Sequence, residues 1–177
     1  MKIIENYIFK LIPREEATEH IQAFKTLALK TYSQYFDRIT PENVLLYKKT
    51  LDDVNLWTWL TNTAQAFVCM DAGELAGMAF MVPGGNPTDI FRKEWAYLRL
   101  VGVEPGHQGK GIAKTLTRMC VEQARATGEK NLALHTAEIQ YSARHVYESL
   151  GFKKVMEIEP VYGLQYWLYL MELQAWR

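Results

Sequence analysis

The sequence predicts an α/β fold in which a mixed sheet of about seven strands is covered by about four helices. Short apolar runs typical of strands alternate with helical patterns, and glycine-containing turns separate neighbouring runs. No linker, repeat or low-complexity segment divides the 177 residues, a length that fits one domain. We therefore expect residues 1–177 to form a single domain.

The N-terminal part of the chain predicts one strand followed by helices. Residues 3–12 are mostly apolar and form the first strand, which Pro13 ends before a helical pattern. Thr40-Pro41-Glu42 supplies a capping hydroxyl, a proline at the first helical position and an acidic first turn. A second helix therefore begins there and runs to about residue 51, and a short helical segment is expected around 53–60.

The middle of the chain predicts three strands. Residues 65–70 and 75–82 are apolar runs joined by Asp71-Ala72-Gly73-Glu74, a sequence typical of a hairpin turn. Residues 95–103 are an apolar run bounded by charge and by Pro105. Such a run predicts a strand in the interior of the sheet.

The C-terminal part predicts two helices and three strands. From Gly109 the apolar period becomes helical, and Gly128 ends that helix. The remaining strand, helix and two strands are predicted over 131–136, 142–150, 152–158 and 165–173. Residues 166–173 are apolar on both faces, so they need cover on both sides, either inside the sheet or, with Trp176, at a homodimer contact.

Composition and charge exclude several classes of protein. Apolar residues make up 49% of the chain and charged residues 23%, so it is not a disordered protein. Twenty Lys and Arg balance twenty Asp and Glu, so no net field attracts nucleic acid. No apolar run approaches the roughly 20 residues of a membrane span. The two cysteines suit a reducing compartment, and we expect a cytoplasmic protein that binds neither nucleic acid nor membrane.

A glycine-rich segment after the strand at 95–103 predicts an anion site. Gly109 and Gly111 have no Cβ atom, so backbone N–H groups in Gln108-Gly109-Lys110-Gly111-Ile112-Ala113 can approach a ligand closely. These groups lie at the positive end of the following helix dipole, which favours a phosphate or pyrophosphate.

Two common phosphate-binding motifs do not fit this segment. A Walker A loop requires Gly where Glu104 stands and Ser or Thr where Gly111 stands. The dinucleotide-binding fingerprint requires a glycine where Lys114 stands.

Three segments between residues 95 and 155, about a third of the chain, match another set of motifs. Residues 108–113 fit the pattern Gln/Arg-x-x-Gly-x-Gly/Ala, and 143–152 fit Ala-x-x-x-Tyr-x-x-x-Gly-Phe. With the strand end Val101-Gly102-Val103-Glu104-Pro105, they resemble the GNAT superfamily of acyl-CoA-dependent N-acyltransferases. The resemblance implies a mostly antiparallel sheet with a splayed central parallel pair.

The resemblance also implies acetyl-CoA as the co-substrate. Its pantetheine arm would lie between the splayed strands, bonded to main-chain groups of Val101 and Val103, and Gly102 would allow a bulge or a close backbone approach. The pyrophosphate would bind residues 108–113. Gln140 stands where the superfamily often has Asn, which weakens a side-chain contact to the cofactor there. No metal is implied, because the four histidines show no spacing typical of ligands.

The reaction implied is acetyl transfer to a primary amine by direct attack in a ternary complex. Tyr147 would protonate the leaving thiolate, since a phenol of pKa about 10 stays protonated at neutral pH. The general base stays open among Glu94, Tyr97 and Glu138, which lie near the strands expected to frame the site. The alternative function is a non-catalytic acyl-CoA sensor or interaction domain.

The acceptor is expected to be a small-molecule or peptide amine, with a polyamine as one candidate. In this superfamily the first two helices and the last hairpin shape the acceptor pocket. Their aromatic and acidic residues would suit a cationic amine, although these residues would equally fit a core and a solvated face. They are Tyr32, Tyr35, Phe36, Asp37, Tyr47, Asp52, Asp53, Trp57, Trp59, Tyr162, Tyr166 and Trp167.

Overall fold

A computed structural model describes residues 1–4 and 6–173 and contains, within them, one sheet with helices on both faces. The strands are β1 (Lys2–Ile4), β2 (Tyr7–Ile12), β3 (Gln65–Asp71), β4 (Glu74–Val82), β5 (Ala96–Val103), β6 (Asn131–Ala137), β7 (Lys153–Val161) and β8 (Leu164–Glu172). The helices are α1 (Arg14–Ala17), α2 (Ile21–Ser33), α3 (Pro41–Asp52), α4 (Val54–Thr63), α5 (Ile112–Ala126) and α6 (Tyr141–Leu150). The predicted fold class is confirmed.

Element counts differ from the prediction at the N-terminal end. The segment expected as one strand over 3–12 forms two strands, β1 and β2, which pair antiparallel with Lys2 opposite Phe9. The short β1 lies at the edge of the sheet and is exposed along its length. An exposed strand of three residues gives no burial pattern from which it could be predicted. The uncertain helical segment at 53–60 is a full helix, α4.

Local capping signals explain where α3 and α4 begin. Thr40 accepts a hydrogen bond from the Asn43 N–H at 3.3 Å, and a proline occupies the first turn, as predicted. Asp53 accepts from the Asn55 N–H at 2.9 Å and starts α4. A side-chain cap of this kind typically contributes about 1 kcal/mol.

The sheet order is β1-β2-β3-β4-β5-β6-β8-β7, and β5 and β6 are its parallel neighbours in the part of the chain that the structure describes. The last strand was expected either inside the sheet or at a homodimer contact. The structure shows the first arrangement, because β8 lies between β6 and β7. Trp176, the other residue expected at a homodimer contact, lies outside the described residues.

Two apolar layers cover the sheet. On one face α5 and α6 pack through residues such as Leu116 and Cys120. On the other, α2, α3 and α4 contribute a second layer that includes Phe24 and the fully buried Trp57. Complete burial of a large apolar side chain stabilises the fold by about 1.5–3 kcal/mol. Within residues 1–4 and 6–173, every helix is too short or too polar to cross a membrane.

Candidate active site

The parallel strands β5 and β6 part soon after they meet. Their register pairs are Ala96 with Leu132 and Tyr97 with Ala133. Beyond these pairs β5 continues along β4, whereas β6 continues along β8. The two inner edges therefore face an opening in the middle of the sheet.

A β-bulge shapes the β5 side of this opening. The register between β4 and β5 shifts so that two residues, Leu100 and Val101, lie opposite the single residue Ala79. Leu100 has φ +49°, a left-handed conformation that is uncommon outside glycine. The bulge predicted at Gly102 is therefore one to two residues earlier in the strand.

Gly102 instead allows the other expected feature, a close backbone approach. A Cβ atom there would lie 3.0 Å from Oγ1 of Thr31 on α2. The Thr31 hydroxyl donates a hydrogen bond to the Val103 carbonyl at 3.2 Å. The absence of a side chain at Gly102 thus lets α2 contact the end of β5 directly.

The main chain of Val103 faces the opening. The Glu104 N–H donates to the Ala76 carbonyl on the β4 side at 2.9 Å. Because main-chain groups alternate along an antiparallel pair, those of Val103 point away from β4. The Val103 carbonyl already accepts from Thr31, and a contact of Val103 with a pantetheine arm stays a prediction.

A cavity of about 240 Å³ occupies the opening. Its walls come from β5, β6, α2, α3, α4, α6 and the β7–β8 hairpin. They are Thr31, Tyr32, Tyr35, Tyr47, Thr50, Leu51, Leu56, Leu98, Arg99, Leu100, Val101, Leu134, His135, Gln140, Ala143, Tyr147, Val161, Tyr162 and Tyr166. The cavity thus brings together Val101, Gln140 and Tyr147, three of the residues predicted to act on the cofactor.

Tyr147 is buried on α6, with 6% of its surface exposed. Burial, followed by the neighbouring Tyr35 and Cys120, raises the pKa of its phenol well above 10. The hydroxyl is therefore a hydrogen donor throughout the neutral pH range. It has the protonation state required of an acid.

Gln140 is partly committed to the protein. Its Oε1 accepts from the Thr136 hydroxyl at 2.7 Å and from the Ala137 N–H at 3.0 Å. These bonds fix the side chain at the end of β6, and its amide nitrogen is the group that can still donate to a ligand.

The three candidate bases lie outside the cavity. Glu94 is exposed in the turn before β5. The Tyr97 hydroxyl donates to the Asn86 carbonyl at 2.9 Å, and Glu138 accepts a long hydrogen bond of 3.4 Å from the Gln165 N–H. The structure therefore does not bring Glu94, Tyr97 or Glu138 to the place where Tyr147 lies.

Arg99 and His135 line the cavity and were missed by the sequence reasoning. Burial and the positive charge of Arg99 lower the pKa of His135 to about 4, so its imidazole is neutral at pH 7. Its Nδ1 atom is buried with no hydrogen-bond partner among the described residues. The sequence signal that could have identified them is a charged or polar residue within a mostly apolar strand, Arg99 in β5 and His135 in β6.

The glycine loop continues β5 into α5. Gly109 has φ +77° and Gly111 has φ +75°, and no atom lies within 4 Å of a Cβ built at either position. Gly111 is the N-cap of α5, whose first turn contains no acidic residue. The N–H groups at 112–114 have no acceptor within the helix, so the loop has the geometry expected of an anion site.

Two side chains of the loop contact neighbouring elements. Nε2 of Gln108 donates to Oε1 of Gln34 after α2 at 3.4 Å. Nζ of Lys110 lies 5.8 Å from the ring centre of Tyr7 on β2. The Lys110 ammonium therefore lies near the aromatic ring of Tyr7.

The acidic residues expected around a cationic acceptor do not reach the cavity. Asp37 is exposed, Asp52 pairs with Lys25, and Asp53 caps α4. The expected tyrosines line the cavity, whereas the other expected aromatic residues do not: Phe36, Trp57, Trp59 and Trp167. The acceptor side is thus aromatic without being acidic.

Known proteins resemble this chain both in sequence and in fold. The profile of the Acetyltransferase (GNAT) family matches residues 27–152. N-acetyltransferase 8B of Homo sapiens is 31% identical over 129 residues, which cover 72% of this chain and 52% of that protein. This chain thus spans about half the length of that relative.

Two solved structures share the fold. The structure of yncA from Salmonella typhimurium, solved with its cofactor acetyl-CoA, has a TM-score of 0.63 at 17% identity and covers 96% of this chain and 95% of its own. The PaiA N-acetyltransferase of Thermoplasma acidophilum, in complex with coenzyme A, has a TM-score of 0.71 at 12% identity and covers 94% and 98%.

Proposed function

Because this chain belongs to the acetyltransferase (GNAT) family, we propose that it transfers an acetyl group from acetyl-CoA to a primary amine by direct attack in a ternary complex. Acetyl-CoA is the co-substrate that membership of this family assigns to the domain. The observation that carries the proposal is the parting of β5 and β6 beside buried Tyr147.

The opening and the glycine loop together fit the shape of acetyl-CoA. An extended pantetheine arm pairs with the free edge of β5 as an added strand would, using main-chain groups of Val101 and Val103. The pyrophosphate binds the N–H groups of residues 108–113 at the start of α5. The Gln140 amide donates to the arm from the opposite side.

The acetyl carbonyl lies at the β5 bulge in this arrangement. A bulge leaves main-chain groups without ladder partners, and an N–H freed at Leu100 or Val101 donates to the thioester oxygen. A donor placed in advance at a developing oxyanion typically contributes about 2.7–4 kcal/mol to catalysis.

The proton balance of the reaction involves Tyr147. The amine nitrogen attacks the thioester carbon, the C–S bond breaks, and the thiolate takes a proton from the Tyr147 hydroxyl. A primary ammonium loses two protons on becoming an amide. One of them returns to Tyr147 and the other leaves to solvent.

Deprotonation of the incoming amine is the costly step. At pH 7 it costs roughly 4.6 kcal/mol for an alkyl amine of pKa about 10.4, and a little over 1 for an α-amine near 8. The cost is therefore much lower for an α-amine than for an alkyl amine.

Thermal unfolding with acetyl-CoA, ATP or NAD tests the proposal first. Acetyl-CoA at 100 times its dissociation constant adds about 2.7 kcal/mol, which raises the midpoint by roughly 5 to 10 °C for a protein of this size. ATP and NAD are expected to give no shift. Thiol release from acetyl-CoA with a panel of amines then measures turnover.

The outcomes of this test are distinct. No shift at saturating acetyl-CoA would overturn the cofactor assignment. A shift without thiol release from any amine would instead support a non-catalytic acyl-CoA sensor. The buried free thiols Cys69 and Cys120 fit the reducing setting of the cytoplasm, where we place the reaction of this single domain.

A further inference from the structure

Among the described residues that line the cavity, Arg99 is the one side chain that carries a formal charge at neutral pH. The described residues of the cavity wall include no Asp, Glu or Lys. Burial lowers the pKa of His135 and raises that of cavity tyrosines such as Tyr32 and Tyr166, so these groups stay neutral. The acceptor side of the cavity therefore has a net charge of +1.

No anionic side chain of the described residues forms an ion pair with Arg99. The ion pairs of residues 1–4 and 6–173 do not include Arg99, and neither do their side-chain hydrogen bonds. Arg99 is half-buried on β5, on the same strand face as Tyr97 two residues earlier. A partly desolvated guanidinium without a counter-ion is unfavourable, and proteins normally pair such groups.

The phosphates of the co-substrate are not the missing anion. Their site is the loop at 108–113, beyond the end of β5, whereas Arg99 precedes the bulge inside the cavity. The thioester end of acetyl-CoA is uncharged. An anion beside Arg99 therefore has to belong to the acceptor.

We propose, building on the acetyltransferase function above, that the acceptor is a small amine that also carries a carboxylate, and that the Arg99 guanidinium binds this carboxylate. A guanidinium presents paired N–H donors that match the two carboxylate oxygens. The tyrosine hydroxyls around it supply neutral donors to the same group. The amine end then lies toward His135 and the thioester.

Charge argues against a polyamine, and the volume of the cavity suits a small molecule. A polyamine would bring two or more positive charges to a cavity whose wall is already positive, and like charges in a partly buried site repel. The volume of about 240 Å³ is below the roughly 300–1,000 Å³ of sites for drug-sized ligands. A compact molecule of amino-acid size fits both limits.

Matched pairs of amines test the inference. Thiol release from acetyl-CoA is measured with phenylalanine and phenethylamine, with leucine and isoamylamine, and with spermidine. We expect kcat/KM to be about 10- to 100-fold higher for the carboxylate-bearing member of each pair. A ratio of this size is expected when one hydrogen bond to a charged group is lost. Glycyl-phenylalanine, whose carboxylate lies one peptide unit farther from the amine, distinguishes a peptide C-terminus from a free amino acid.

Variants of Arg99 assign the preference to this side chain. Arg99→Gln is expected to reduce the ratio within each pair to about 1, whereas Arg99→Lys retains part of it because the charge remains. Arg92→Gln is the matched control, since Arg92 is exposed over the ring of Trp95 and outside the cavity. Protection of each variant by acetyl-CoA in thermal unfolding shows that the fold and the cofactor site are intact.

Three results would overturn the inference. One is a higher kcat/KM for spermidine or for the amines without a carboxylate. Another is an unchanged ratio in Arg99→Gln. The third is a protein that acetyl-CoA stabilises but that acetylates none of the carboxylate-bearing amines. Loss of the acetyl-CoA shift itself would instead overturn the proposed function, so the two failures are distinguishable.

Discussion

Tyr162, in the turn between β7 and β8, stacks on Tyr47 of α3 with ring centres 4.1 Å apart and planes 27° apart. Tyr162 has φ +53° and the following Gly163 has φ +73°. Both residues thus have a left-handed backbone conformation, as a two-residue hairpin turn of type I′ requires. The turn holds a tyrosine at a position that usually favours Asn or Gly, and so places an aromatic ring on the acceptor side of the cavity.

Removal of this ring is expected to weaken acceptor binding selectively. Tyr162→Asn keeps a residue that tolerates the left-handed turn but loses the stack, which is worth about 0.5–1.5 kcal/mol. We expect KM for the acceptor to rise roughly 2- to 10-fold, with KM for acetyl-CoA unchanged, in steady-state kinetics. Tyr162→Phe keeps the ring and serves as the control. Equal acceptor KM values in the two variants would show that the stack does not contribute.

Loss of the Tyr147 hydroxyl is expected to slow turnover. Tyr147→Phe removes the proposed proton donor for the thiolate, so kcat should fall by roughly 10- to 10,000-fold while acetyl-CoA affinity changes little. Tyr141→Phe, on the exposed first turn of the same helix, is expected to leave kcat unchanged. Unchanged turnover in Tyr147→Phe would remove this residue from the mechanism.

A negative charge at the start of α5 is expected to abolish cofactor binding. Gly111→Glu puts bulk and charge where we propose that the pyrophosphate binds, and Gly128→Glu makes the same change at the other end of α5. Both glycines have a left-handed φ, +75° and +81°, with open space around a Cβ atom, so the backbone strain is matched. Titration calorimetry with CoA should detect binding only in Gly128→Glu, and binding by both variants would contradict the loop assignment.

The buried His135 is expected to make the protein acid-sensitive. Its pKa is about 4 in the folded state against 6.5 when solvated, so between these values the unfolded chain binds a proton that the folded chain does not. The free energy of unfolding therefore falls as the pH drops from 6.5 to 4, by on the order of 3 kcal/mol from this group.

Urea unfolding at several pH values checks this effect. The decrease in stability should be smaller in His135→Gln than in the unmodified protein. His145→Gln, which changes an exposed histidine on α6, should keep the full decrease. Parallel pH profiles in all three proteins would mean that His135 titrates normally.

The cofactor half of the candidate site was predictable because its signals are local. Glycine permits the positive φ that Gly109 and Gly111 adopt, and Tyr147 lies in a contiguous motif. The family match over residues 27–152 confirms the resemblance that those motifs suggested.

The acceptor half was not predictable because it depends on tertiary structure. Arg99 and His135 belong to strands whose apolar pattern indicates burial but does not show which face meets which neighbour. They become neighbours only when β5 and β6 pair, although they are 36 positions apart in the chain. Conversely, Asp52 and Asp53 occur in the expected segment but serve an ion pair and a helix cap.

The divided sheet also bears on how the two parts of the chain are joined. One ladder, β1 to β5, is built from residues 2–103, and the other, β6, β8 and β7, from residues 131–172, so each is a continuous stretch of chain. The two meet in register at one end only, and α5 contacts the first ladder while packing against α6 of the second half. Cooperative units of a protein often coincide with such contiguous segments. A co-substrate that bonds to both inner edges therefore adds a second connection between the two ladders, away from the end at which they pair.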